Sequence, residues 1–172
     1  IWFQAIFMKI FGYNELAVRL PVAIAVLFTT FLLYFFCLDI FNSKTAGFLS
    51  ALTLVCTNGY IDTHVARTGD VDGFMIFWIT LFALYFFRYL HEEDANQKKR
   101  YLLIASLGLT FAVLTKGVAG LLVVPGLALY VLFDKKAKEV LSGRQFYVSM
   151  IIFILPVGGF YLLREIYSPG YL

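Results

Sequence analysis

Pro21–Phe41 reads PVAIAVLFTTFLLYFFCLDIF, with Asp39 as its one charged side chain. A run of roughly 20 predominantly apolar residues is what an α-helix needs to cross the hydrocarbon core of a bilayer. Further apolar runs lie at 46–60, 73–90, 101–114, 115–133 and 146–163, separated by short polar segments. The pattern predicts about six spans. Of the 172 residues, 61% are hydrophobic, 19% aromatic and 15% charged, and mean hydropathy is +0.83. Only helices and closed barrels satisfy their own backbone polar groups in lipid. A barrel would alternate apolar and polar residues over segments of about ten, a pattern this chain lacks. The fold class is an all-α polytopic membrane protein.

Upstream of Pro21, residues 1–12 place Trp2, Phe3, Ile6, Phe7 and Ile10 at helical spacing, with Gln4 and Lys9 elsewhere on the wheel. The periodicity fits a helix lying on the membrane surface and equally the end of a spanning helix. Gly12 breaks this element, and Asn14 is expected to cap the next one. Glu15 and Arg19 are four residues apart, the spacing of a helix-face ion pair. The opening IWFQAIF has neither an initiator methionine nor the basic and apolar regions of a signal peptide, so further sequence is expected upstream. Net charge is +3, too small and scattered to attract nucleic acid. Cys37 and Cys56 fall within apolar runs without metal-ligand spacing and read as small buried hydrophobes.

Six spans would put alternate loops on opposite faces. One set carries nine cations: Lys44, Arg88, Lys98, Lys99, Arg100, Lys135, Lys136, Lys138 and Arg144. The other carries five: Lys9, Arg19, Arg67, Lys116 and Arg164. Positive-inside bias assigns the richer set to the cytoplasm. The outer face then receives the amphipathic start, the Thr115-Lys116-Gly117 turn and a polar island, His64-Val65-Ala66-Arg67-Thr68-Gly69-Asp70-Val71-Asp72-Gly73-Phe74.

That island holds the chemistry. Ionisable groups near membrane depth are costly, and usually face a protein interior or a wet cavity. Arg67 and Lys116 suit a phosphate contact, and a carboxylate at Asp70 or Asp72 suits a general base or an acceptor-orienting group. Each has a plainer role. Asp70 or Asp72 would also cap the following helix, whose N-terminus favours an acidic residue. Arg67 would pair with either aspartate, His64 would be a satisfied interfacial histidine, and Asp62 would be a solvated loop charge. Lys116 would snorkel to headgroups.

Three segments together resemble the membrane glycosyltransferases that use polyprenyl-phosphate sugars, a group that includes the aminoarabinose transferase of lipid A modification and the protein O-mannosyltransferases. They are FGYNELAVRLP at 11–21, ARTGDVDGFMIFWITLFALYF at 66–86 and GLTFAVLTKGVAGLLVVP at 108–125. The resemblance extends over most of the chain and is least in its last forty or so residues.

It implies a GT-C transmembrane helix bundle of which residues 1–172 form part, with residues 1–12 as an interfacial helix. It also implies an inverting enzyme acting at the extracytoplasmic face of a bacterial inner membrane, within the cell envelope. The donor would be a polyprenyl-phosphate-linked sugar and the acceptor a lipid or protein. Asp72 matches the family's acidic position by its distance to Ala83-Leu84, whereas Asp70 belongs to the RTGD form of the motif. Both are candidate catalytic residues. Arg67 and Lys116 become candidate donor-phosphate contacts, and His64 a candidate lining residue. The family's first-loop acid is expected upstream of Ile1, with the first span. The positions at which some relatives hold a divalent metal are expected there too, so a metal cofactor is left undecided.

Two other classes fit the charges. A lipid or anion transporter or flippase would place ionisable groups near mid-membrane at broken helices, but here the span centres are apolar, with Pro125 and Pro156 as candidate kinks. A non-catalytic assembly subunit would have every charge as a loop end.

Overall fold

The computed structural model describes residues 2–61, 65–134, 138, 141 and 143–170. Among them the chain is helical and no strand occurs. The helices are α1 (Trp2–Phe11), α2 (Glu15–Phe41), α3 (Lys44–Cys56), α4 (Asn58–Ile61), α5 (Asp72–His91), α6 (Ala95–Lys116), a 3-10 turn (Gly117–Leu121), α7 (Val124–Phe133) and α8 (Arg144–Tyr167). They divide into two compact units, Ile1–Thr80 and Leu81–Leu172.

Local chemistry sets most boundaries. Gly12, at φ 82°, ends α1, and Asn14 caps α2 as expected, its Oδ1 accepting the Ala17 N–H at 2.8 Å. Glu15 and Arg19 form the anticipated ion pair on the exposed first turn. Asn42 closes α2 in the left-handed conformation, its N–H donating to the Leu38 carbonyl. Asparagine adopts that conformation more readily than most residues. Ser43 then caps α3 through Ala46 N–H at 3.3 Å, and Asp94 caps α6 through Gln97 N–H at 2.8 Å.

Four stretches are long and apolar enough to cross a membrane: Glu15–Phe41, Asp72–His91, Ala95–Leu121 and Arg144–Tyr167. Two of the six expected spans are interrupted. The run at 46–60 becomes α3, 13 residues long, followed by an extended Thr57 and one further turn. The run at 115–133 becomes the 3-10 turn and α7, a helix of 10 residues. At 1.5 Å per residue these helices measure about 20 and 15 Å, against a core of about 30 Å. Pro125 lies in the first turn of α7, where a missing N–H costs no helical bond. It starts a helix rather than kinking one.

In the first unit, the polypeptide after α2 runs back along it. Gly47 lies against Tyr34, and the Tyr60 hydroxyl donates to the Val26 carbonyl at 3.0 Å. α5 then starts beside the N-terminal third of α2, where Gly73 meets Val22 and Phe77 approaches Phe28 with centroids 6.4 Å apart.

The second unit packs around Phe82, Phe86, Tyr89, Leu90, Leu102, Ala105 and Val131. α6 and α8 lie side by side, and Tyr161 of α8 reaches Gly117 at the C-terminal end of α6. The chain reverses at Gly117, bringing Gly120 against the backbone of Ala112 and Val113. It returns until Tyr130 hydrogen-bonds His91 at 3.0 Å, at the end of α5.

Large apolar side chains cover the outside, among them Leu27, Phe31 and Phe35 of α2 and Ile151, Leu155 and Leu162 of α8. Apolar area on this scale is foreign to a monomer in water and suits lipid. Within the bundle, Thr29, Ser106 and Thr110 are buried, and each returns its hydroxyl to the carbonyl four residues earlier. These three hydroxyls are thereby satisfied within their own helices. Both cysteines are free; Cys37 is half-buried but Cys56 is exposed, so only Cys37 approaches the expected burial.

Candidate functional site

The polar island sits in the first unit between α4 and α5. Its backbone is held close to α2 because two of its residues are glycines. A Cβ on Gly69 would penetrate Val18 Cγ1, and one on Gly73 would lie 2.7 Å from Val22 Cγ1 and 3.0 Å from the Val65 carbonyl oxygen. Val22 and Val65 are buried, so neither has room to retreat. α1 closes on the island from another side. Phe3 stacks on Phe74 with centroids 5.3 Å apart, and Gln4 Nε2 donates to the Gly69 carbonyl. The same amide nitrogen lies 3.5 Å from the Val18 carbonyl.

Upon this frame the charged groups are distributed at the start of α5. Asp72 is the first residue of the helix, where a carboxylate favours the positive end of the macrodipole. Val71 supplies the carbonyl that accepts Met75 N–H at 3.0 Å and so begins the helical ladder. Asp70 Oδ1 accepts the Val71 N–H at 2.7 Å, giving that donor a partner just outside the helix. Asp70 thereby fixes the residue that leads into α5. Asp70 and Asp72 are half-buried and Arg67 is exposed. His64 and Asp62 lie outside the described residues.

Lys116 belongs to the second unit. It is the last residue of α6 and is exposed. A cation there complements the negative end of the helix dipole. Gly117 follows at φ 62°, its N–H donating to the Val113 carbonyl, and its Cα proton faces the Tyr161 hydroxyl at the position where a Cβ would come within 3.2 Å. The structure thus brings Arg67, Asp70 and Asp72 onto one segment of the first unit and sets Lys116 at the tip of a helix in the second.

Among the described residues, no three His, Cys, Asp or Glu side chains come together as a ligand set for a metal ion. Sequence reading missed Gln4. Its polar character on an aromatic helix was visible, but its partner is 65 residues away and no local pattern marks it.

Comparison with known proteins places this arrangement. An uncharacterized protein of Aquifex aeolicus (strain VF5) is 32% identical over 155 residues, a stretch covering 90% of this chain and 30% of that protein. The chain spans about a third of the length of this relative. No solved structure matches. The family described as dolichyl-phosphate-mannose-protein mannosyltransferase matches residues 1–160, taking in α1, the island, the Lys116 turn and most of α8. The chain belongs to that family, within the GT-C glycosyltransferases.

Proposed function

We propose that the protein transfers a sugar from a polyprenyl-phosphate carrier to a lipid or protein acceptor at the extracytoplasmic face of the membrane. The observation that carries this reading is the family match over residues 1–160, which spans a polar island seated among membrane-length helices. In the reaction an acceptor hydroxyl oxygen forms a bond to the anomeric carbon as the bond from that carbon to the carrier phosphate breaks, with inversion. The hydroxyl proton passes to a carboxylate, and the phosphate leaves on its lipid.

Asp72 or Asp70 orients the acceptor or assists the base. Arg67 and Lys116 contact donor phosphate, for which charged, multidentate donors are suited. His64 lines the site. Residues 1–172 form part of one GT-C transmembrane domain in this reading.

Six crossings fit the chain path as well as its composition. Lys44–Ile61 and Gly117–Phe133, taken as interrupted wholes, stand at the lower limit of about 17 residues for a span. The Tyr60–Val26 and Tyr130–His91 hydrogen bonds support a return in each unit. Alternation then puts five cations with the island on the outer face and nine on the other, in the sense of the positive-inside rule. α1 supports an interfacial position, since Trp2, Ile6 and Ile10 project away from the protein at four-residue intervals.

The test is transfer of radiolabelled mannose or aminoarabinose from its phosphopolyprenol by membranes containing the full-length protein. Asp72→Asn or Asp70→Asn should lower kcat by about 10²–10⁴, the range of general acid–base catalysis, and Lys116→Met should raise the donor KM. Wild-type transfer in both aspartate variants would refute the assigned roles.

A further inference from the structure

α1 is amphipathic in an unusual sense. Large apolar residues of α1 are strongly exposed, Trp2 at 83% and Ile10 at 67%, whereas the half-buried side includes the amide of Gln4. A polar side chain turned inward from a lipid-facing helix must find a partner there. It finds two carbonyls, Gly69 of the island and Val18 of α2.

We propose that Gln4 is a positioning residue, which fixes the direction of the Asp70 and Asp72 carboxylates by holding the Gly69–Asp70 peptide. The proposal rests on the island being the transfer site. The Gly69 carbonyl and the Asp70 nitrogen belong to one rigid peptide plane. Fixing that carbonyl therefore fixes the plane from which the Asp70 Cα–Cβ bond departs. Asp70 continues the restraint by accepting the Val71 N–H, and the Val71 carbonyl accepts Met75 N–H. Asp72 sits inside that last turn. A continuous line of backbone restraint thus runs from α1 through both carboxylates into α5.

The fit of Gly69 against Val18 makes the clamp specific. The island cannot shift toward α2 to compensate for a lost bond, because the van der Waals gap is already closed. It can only lift away. α1 also has its apolar side toward lipid, so the clamp ties the carboxylates to the depth of the membrane surface, where the phosphate of a lipid-borne donor resides. No role is required of Gln4 in touching substrate.

The experiment uses the full-length protein in membranes, with mannosyl-phosphopolyprenol as donor. Gln4→Leu keeps the size of the side chain and removes the donor; Gln4→Glu places an acceptor against two carbonyls; Gln4→Lys restores a donor of similar reach. Displacement of reacting groups by about an ångström costs up to about a hundredfold in rate. The first two variants should lose roughly tenfold to a hundredfold in kcat with donor KM within about twofold, a loss confined to the transition state, and Gln4→Lys should recover most of it. In the triple variant with Asp70→Asn and Asp72→Asn, the loss should not exceed that of the two aspartate changes without Gln4→Leu, because Gln4 acts only through those carboxylates. Amide hydrogen exchange at residues 69–71 should accelerate in Gln4→Leu.

Wild-type kcat in Gln4→Leu, or a loss that multiplies with that of the Asp70→Asn, Asp72→Asn pair, would overturn the proposal. The functional reading fails separately. If Asp70→Asn and Asp72→Asn turn over like wild type, the island is not the site, and a Gln4→Leu variant with faster exchange but unchanged rate shows a structural clamp alone, which also overturns the positioning role.

Discussion

The island in the first unit and the Lys116 turn in the second are both polar interruptions between apolar runs, yet they are held by opposite means. The island is a loop of turns and bends pinned from outside itself: Gln4 bonds its backbone, and Gly69 and Gly73 admit the side chains of Val18 and Val22. The turn is pinned from within. Gly117 closes α6 with a positive φ, and Gly120 folds back until its Cα touches the main chain of Ala112 and Val113. A loop positioned by distant side chains can be tuned by them. A turn built on its own backbone is set by the residues within it, and places Lys116 on the last turn of α6.

The sharpest way to break that comparison is to add one methyl group to each region. At Gly120 a Cβ would lie 2.5 Å from the Ala112 carbonyl carbon and 2.6 Å from Val113 nitrogen. Backbone cannot rotate away, so Gly120→Ala should cost about 3 kcal/mol or more, the upper end for overpacking. Thermal unfolding in detergent would measure it. A loss below about 1 kcal/mol would mean that the turn stands off from α6.

At Gly73 the principal obstacle is the Val22 side chain, so Gly73→Ala should cost less, about 1–3 kcal/mol. It should also be rescued in part by Val22→Ala, which removes the offending methyl groups. The same rescue has no counterpart at Gly120. Non-additivity of the Gly73–Val22 pair, measured by a double-mutant cycle, separates a side-chain obstacle from a backbone one.

This contrast also explains how much was legible in the sequence. Length and apolarity of Pro21–Phe41 sufficed for a spanning helix, because lipid leaves the backbone no other economy. Asn14 could be read as a cap because a capping bond reaches only three residues along the chain. The Lys116-Gly117 stop was readable for the same reason. The interruptions at Thr57 and Leu122-Val123 were not, since none of these residues breaks a helix by its own propensity, and Pro125 promotes the start it occupies. The candidate carboxylates were visible as charges in an apolar chain. Their framework was not, because Gln4 meets Gly69 and Val65 meets Gly73 only once α1, α2 and α5 have packed. Resemblance makes the island a candidate site; packing shows what holds its backbone.

At Gly117 a methyl group meets conformation rather than contact. Its φ is 62° with ψ −134°, and the nearest foreign atom to a Cβ would be the Tyr161 hydroxyl oxygen at 3.2 Å. That hydroxyl ends a side chain able to yield, whereas this φ and ψ lie outside the left-handed helical region, where asparagine is tolerated, and are open essentially to glycine. Gly117→Ala should therefore cost about 1–3 kcal/mol, and Gly117→Asn should give no relief. Tyr161→Phe should leave both losses nearly unchanged, because the obstacle is the backbone of the turn itself. Recovery of stability in Gly117→Asn, or on adding Tyr161→Phe to Gly117→Ala, measured by thermal unfolding in detergent, would instead show that contact with α8 governs the turn.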